Sequence, residues 1–296
     1  MSRWLVTGAG GMLGRDLVAV LDGRGESATG LARGDLDITD AGAVRAALYR
    51  WQPDVVVNCA AWTAVDDAEA HEDVALRVNG QAVTGLARQC AVAGRALVQL
   101  STDYVFDGQA SQPYPEDGAP APRTAYGRTK LAGEQAVLGQ PGLQGYVLRT
   151  AWLYGAHGSS FIRAMLGKAC RPGTVQVVDD QRGQPTWTMD VAGQIAALVG
   201  AAAAPGVYHA TSSGETTWFG LAQEVFRLAG ADPERISPVS SAALARPAPR
   251  PAYSVLGHDR WARAGLAPIG DWRSALREAL PRLVATMPTG PAAASG

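Results

Sequence analysis

The sequence predicts an α/β protein: a doubly wound parallel sheet with a smaller C-terminal domain. Three observations carry that reading. Short apolar runs alternate with helical patterns through the first half of the chain, as βαβ units require. The runs are continuous rather than alternating, which fits strands covered on both faces. The first run opens directly into a turn with glycines at 8, 11 and 14.

The elements follow in order. A strand over 4–7 passes through the glycine turn into a helix ending near residue 21. A weaker strand over 28–31 precedes a helix over 40–49, and a strand over 54–58 leads to a long helix over 73–93. Strands over 96–100 and 146–148 flank a helix over 123–138. Beyond Thr150 the pattern loosens to a strand over 175–178, an Ala-rich helix over 191–203 and a strand over 206–209. A helix over 218–228 follows, then Arg246-Pro247-Ala248-Pro249-Arg250-Pro251, which three prolines bar from regular structure, then a last helix over 272–283.

Composition narrows the function. A chain of 296 residues is long enough for one large domain and a smaller one. With a formal net charge of -1 there is no electrostatic case for nucleic acid or an anionic membrane. No stretch approaches the ~20 apolar residues that cross a bilayer. The first strand begins at once, leaving no room for a signal peptide, so the expected location is the cytoplasm. The 3 cysteines (Cys59, Cys90, Cys170) and 4 histidines are scattered without metal-ligand spacing, and no metal site is expected.

The glycine turn sits where a Rossmann-type fold binds a dinucleotide. The first glycine lets the backbone turn, the second lets a pyrophosphate approach, and the third lets the helix pack close. Met12 and Leu13 open that helix, whose free N–H groups and dipole favour phosphates. The second strand ends in Leu31-Ala32-Arg33-Gly34. It lacks the acidic residue that selects NAD, and Arg33 suits a 2′-phosphate, so NADPH is favoured over NADH. Asp37 and Ile38 are placed to flank the adenine. The expected division assigns 1–150, with 188–210 returning, to dinucleotide binding. It assigns 151–187 and 211–285 to the substrate, and leaves 286–296 as a disordered tail.

Tyr126 and Lys130 form a YxxxK pair on one face of a helix. A free phenol titrates near ~10, too high for ready proton exchange. A nearby ammonium favours the phenolate and makes Tyr126 a usable general acid. Thr102 follows the fourth strand and so falls at the same sheet edge as the glycine turn. Its hydroxyl is expected to meet a substrate carbonyl oxygen as negative charge develops there.

Longer segments now matter: Val57-Asn58-Cys59-Ala60-Ala61-Trp62-Thr63-Ala64-Val65-Asp66, Ser101-Thr102-Asp103-Tyr104-Val105-Phe106-Asp107-Gly108, Tyr126-Gly127-Arg128-Thr129-Lys130-Leu131-Ala132-Gly133-Glu134, Leu148-Arg149-Thr150-Ala151-Trp152-Leu153-Tyr154-Gly155 and Asp180-Gln181-Arg182-Gly183-Gln184-Pro185-Thr186. With the glycine turn, they make the chain resemble the extended short-chain dehydrogenase/reductase family, and within it the branch that reduces dTDP-linked 4-keto-6-deoxyhexoses. The resemblance implies Thr102, Tyr126 and Lys130 as the catalytic trio, with Tyr126 and Lys130 also reaching the cofactor. It implies that Ala60, Ala61, Thr63 and Asn79 line the cofactor, and that Val65, Tyr104 and Trp152 contact the sugar. Arg250 is expected either to pair with the diphosphate or to be a solvated loop charge. The implied reaction is NAD(P)H-dependent reduction of the C4 ketone of dTDP-4-dehydro-L-rhamnose to dTDP-L-rhamnose.

The alternatives are a sister reductase of antibiotic-sugar synthesis, such as one making dihydrostreptose, an epimerase or dehydratase retaining NAD⁺, and a non-catalytic regulatory subunit. Some family members form a metal-linked dimer through acidic residues. Asp16 matches one position, but Trp187-Thr188-Met189-Asp190 offers no clean second, so a monomer or weak homodimer is expected.

Overall fold

A computed structural model describes residues 1–287. The first half contains β1 (Arg3–Thr7), α1 (Met12–Gly23), β2 (Ser27–Leu31), α2 (Ala41–Trp51), β3 (Val55–Asn58), α3 (Val65–Ala68), α4 (Glu72–Leu76), α5 (Ala82–Ala93), β4 (Ala96–Thr102), α6 (Ala125–Leu138) and β5 (Gly145–Thr150). The second half adds β6 (Leu153–Tyr154), α7 (Phe161–Ala169), β7 (Val175–Val178), β8 (Arg182–Gly183), β9 (Thr186–Trp187), α8 (Thr188–Gly200), β10 (Gly206–His209), β11 (Thr216–Thr217), α9 (Trp218–Leu228), β12 (Ile236–Val239), α10 (Asp259–Arg263) and α11 (Trp272–Ala285).

Six strands form one parallel sheet in the order β10-β5-β4-β3-β1-β2. From β1 the chain moves outward to β2 and then back past β1 to β3. The strand order therefore reverses at β1, and the carboxyl ends of β1 and β3 bound a crevice. Side chains of a strand alternate between faces. In β1, Trp4 and Val6 join one apolar cluster with Leu17, Leu21, Val191 and Ile195, while Leu5 joins another with Val44, Leu48, Leu86 and Cys90. Helices α1 and α8 thus cover one face, and α2 and α5 the other. A separate apolar cluster, with Ile162, Met165, Val177, Leu221, Phe226 and Trp272 among its members, unites α7, β7, α9 and α11.

The structure corrects several expected boundaries. Strand β4 runs to Thr102, so Ser101 and Thr102 are strand residues with Cα partners Arg149 and Thr150 on β5. The long helix over 73–93 is interrupted by a π-helical segment, Arg77–Gln81. Within it Asn79 accepts from the Trp62 amide (2.9 Å) and donates to the Trp62 carbonyl (3.1 Å). A π-turn inserts one residue and re-aims a side chain, which gives Asn79 that reach. Helix α6 starts two residues later than expected, because Thr124 caps it by accepting from the Gly127 amide at 3.0 Å. The Ala-rich helix starts at Thr188 and ends at Gly200 rather than spanning 191–203. The last helix continues to Ala285 through Pro281. Thr286, assigned to the tail, instead accepts from Arg163 Nη1 at 2.6 Å. The remainder, 288–296, lies outside the described residues.

Candidate active site

The turn after β1 is built for close approach. Gly8 has φ +66, and a Cβ there would stand 2.5 Å from the Ala60 amide nitrogen at the end of β3. Gly11 caps α1 without a side-chain hydrogen bond. The first-turn amides of α1 therefore keep unused donors at a helix N-terminus, the arrangement that holds a phosphate. The residues present fit a dinucleotide.

A cavity of about 1380 Å³ opens on this turn. Gly8, Gly11, Met12, Leu13 and Gly14 line it, as do Thr102, Tyr126 and Lys130. Topology brings these groups together: Thr102 ends β4 and Tyr126 opens α6, both at the sheet edge where β1 delivers its turn. A buried polar chain crosses the strands beneath them. Thr7 Oγ1 donates to Asn58 Oδ1 (2.5 Å), Asn58 Nδ2 to Gln99 Oε1 (2.7 Å), and Gln99 Nε2 to the Leu100 carbonyl (2.8 Å). The same carbonyl accepts from Lys130 Nζ at 2.6 Å. These buried polar groups are mutually satisfied, which fixes the ammonium in place.

Burial sets the charge states. It pushes the Tyr126 phenol up to about 12, opposed by a hydrogen bond with the Thr102 hydroxyl. It pulls the Lys130 ammonium down to about 8, opposed by the Glu134 carboxylate. Desolvation dominates at the phenol, so Tyr126 stays protonated at neutral pH. Thr102 is tied to its neighbours. Its hydroxyl proton goes to Asp103 Oδ1 at 2.9 Å, and its oxygen accepts from the Tyr104 amide at 3.2 Å. The Tyr104 ring meets Tyr126 edge-on, with centroids 5.7 Å apart.

Behind α6, Arg149 of β5 donates to Glu134 at 2.7 Å, and Ser101 Oγ donates to the same carboxylate at 2.5 Å. This buried pair bolts α6 to β4 and β5. Also on the cavity wall, Trp152 takes φ 47, a left-handed conformation that costs a non-glycine residue energy and often marks functional positions. Its ring stacks on Trp218 at 3.5 Å and 7°. Gly183 makes room for it, since any Cβ there would collide with the indole. Val65 and Tyr104 line the same cavity.

The model of the RmlD substrate binding domain matches residues 2–285. The chain belongs to the RmlD substrate binding domain family. Among relatives of this RmlD-type chain, the dTDP-4-dehydrorhamnose reductase of Streptomyces griseus is 56% identical over 285 residues, 95% of this chain and 94% of that protein. The probable dTDP-4,6-dihydroxy-2-methyloxan-3-one 4-ketoreductase of Streptomyces antibioticus is also 56% identical over 285 residues, 96% of each chain. The crystal structure of dTDP-4-dehydrorhamnose reductase from Bacillus anthracis in complex with NADP superposes with a TM-score of 0.91 at 32% identity, covering 95% of this chain and 99% of that one.

Most of the expected site residues of this RmlD family member converge. Arg33, Asp37, Ile38, Ala60, Ala61 and Thr63 line the cavity beside the glycine turn. Arg33 is exposed at its rim. Asp37 Oδ1 is engaged locally, accepting from the Thr39 amide (2.9 Å) and hydroxyl (2.7 Å). Asn79 is the exception. It is 1% exposed and is absent from the cavity wall. Its amide is spent on Trp62 and, at 3.1 Å, on Thr129 Oγ1, so it shapes the loop that carries Ala60 to Thr63. Arg250 lines the cavity with its Nη2 donating to Asp66 Oδ2 at 2.8 Å. Asp16 is buried and accepts from the Thr188 hydroxyl.

Sequence reasoning missed Trp218, Asp103 and Arg246, all on the cavity wall. Arg246 lies four residues from Arg250 in the same proline-rich stretch, a signal that was there to use. Trp218 reaches Trp152 only through the packing of distant segments. Among the described residues, no helix is long and apolar enough to cross a membrane. No cluster of three or more His, Cys, Asp or Glu suited to a metal occurs among them either.

Proposed function

We propose that this chain is an NADPH-dependent oxidoreductase that reduces the C4 ketone of dTDP-4-dehydro-L-rhamnose to give dTDP-L-rhamnose. The observation that carries the reading is that Tyr126, Thr102 and Lys130 face the same cavity as the glycine turn. When bound, NADPH supplies the hydride. Gly8, Gly11, Met12, Leu13 and Gly14 hold its pyrophosphate, Arg33 meets the 2′-phosphate, and Asp37, Ile38, Ala60, Ala61 and Thr63 line its path.

Tyr126 then acts as the proton donor. Its phenol, held up at about 12 by burial, carries a proton through the neutral range and gives it to the forming alkoxide. Lys130 keeps a positive charge next to the reacting centre, where it stabilises the negative charge that develops on the phenol oxygen. Thr102 stands on the same cavity wall, its hydroxyl held by Asp103 and the Tyr104 amide, where it meets the substrate's carbonyl oxygen. Val65, Tyr104 and Trp152 form a largely apolar wall against the methyl face of the deoxysugar. Arg250 takes the diphosphate. The protein works as a monomer or weak homodimer in the cytoplasm.

A second reading has its own support. The relative named as a 4-ketoreductase of a different dTDP-sugar is as similar, at 56%, as the one named for dTDP-4-dehydrorhamnose. A sister reductase of antibiotic-sugar synthesis would use the same trio on another ring. Incubation with NADPH and each dTDP-4-keto-6-deoxyhexose, followed by NMR of the product, tests both. Consumption of NADPH with dTDP-4-dehydrorhamnose and an L-rhamno product supports the first. Absence of turnover with every such ketone overturns the reductase reading.

A further inference from the structure

The segment carrying Arg250 is a strap with few ties. At its start Asp180 accepts from Ser240 Oγ (2.8 Å) and from the Ser241 amide (2.9 Å). At its end the Tyr253 amide donates to the Gly108 carbonyl at 3.1 Å. Pro247, Pro249 and Pro251 have no amide hydrogen, so a ladder cannot hold the middle. Among the described residues, apart from the Ala252 carbonyl, which accepts from the Arg182 amide at 2.8 Å beside the Tyr253 tie, the polar contacts from this middle to the rest of the fold converge on one carboxylate. The Ala248 amide donates to Asp66 Oδ1 at 3.2 Å, Arg250 Nη2 donates to Asp66 Oδ2 at 2.8 Å, and Arg246 Nη1 stands 3.6 Å from Asp66 Oδ2. Arg250 is turned back on its own strap as well, its Nη1 donating to the Ala248 carbonyl at 3.0 Å.

We propose that Asp66 is a positioning residue for the substrate's diphosphate: it ties the proline-rich strap across the cavity and presents the Arg246–Arg250 pair to the anion. This rests on the nucleotide-sugar reading above. One carboxylate facing two guanidiniums leaves a net positive charge at the cavity wall. Arg250 keeps donors to spare, because a guanidinium offers five and only two are used here. Asp66 has two opposing effects on an incoming diphosphate. Its charge repels the anion, but the repulsion is screened at a side chain 35% exposed. Its hydrogen bonds pre-pay the ordering of several strap residues, a cost otherwise met at binding. Ordering several residues outweighs one screened repulsion, so Asp66 favours binding.

The test measures dTDP and NADPH affinities by calorimetry for the parent, Asp66→Asn, Arg250→Ala and the double variant, together with kcat and KM for the sugar nucleotide. Asp66→Asn is expected to weaken dTDP about tenfold, the scale of one hydrogen bond to a charged group, with NADPH affinity unchanged. KM for the sugar nucleotide rises more than kcat falls. In the Arg250→Ala background the effect of Asp66→Asn shrinks, since Asp66 acts largely through Arg250. Unchanged or tighter dTDP binding by Asp66→Asn, or fully additive losses in the double variant, overturns the proposal while the reductase reading stands. Failure of the parent to bind dTDP overturns both.

Discussion

Arg149 and Glu134 face each other at 2.7 Å with side chains 3% and 1% exposed, one helical turn beyond Lys130. The pair joins β5 to α6, the helix that carries the proton donor. A buried ion pair is costly to break from one side, because the surviving charge is left without a partner. Glu134→Ala is therefore expected to destabilise the fold by about 3–5 kcal/mol. Chemical denaturation would register this, and a loss under 1 kcal/mol would show that water or another group takes over.

Replacing Tyr126 by Phe removes the hydroxyl that donates the proton. The expected result is a fall in kcat of about 100-fold or more, the scale of general acid catalysis. The melting temperature and NADPH affinity should stay near the parent's. Turnover close to that of the parent would remove Tyr126 from the proton-donor role.

Lys130 gives a stability signal with a definite sign. Its folded-state titration near about 8 lies below the 10.5 of a free lysine. Between those values the unfolded chain binds more protons, so stability rises with pH through that window. Below about pH 8 the cost of burying the ammonium is fully present. Lys130→Met should thus compare most favourably with the parent near neutral pH and lose that relative advantage by about pH 10.5. Parallel denaturation curves at the two extremes would contradict the assigned direction.

Arg33 is an exposed cation on the cavity wall that also holds the glycine turn. Arg33→Ala should raise KM for NADPH by roughly tenfold, the scale of one charge-assisted contact, and change KM for NADH little. Equal effects on both cofactors would place the 2′-phosphate elsewhere.

Much of the site was legible because it is written in local spacing. The glycine turn needs only neighbours in sequence, and Tyr126 and Lys130 share a face of one helix. The six sheet strands were also readable as apolar runs, although Thr102 belongs to β4 rather than to the loop beyond it. What stayed hidden depends on contacts between distant segments. Asn79 looks like a cofactor ligand until the π-turn aims it at Trp62. The stack of Trp152 on Trp218 joins positions 66 residues apart, and nothing in either local pattern announces it. Asp66 and Arg250 stand 184 residues apart, and although Arg250 reads as a candidate anion contact, nothing local pairs it with Asp66.

The left-handed turn at Trp152 bears on how such a pocket changes its tastes. An indole pinned between a second tryptophan and a side-chain-free neighbour at Gly183 is a rigid floor that cannot sink to admit a bulkier ring substituent. Adaptation to a differently decorated hexose would therefore run through positions 152, 183 and 218. The proton donor and its ammonium neighbour are carried by a different element, α6, and could pass through such a divergence untouched.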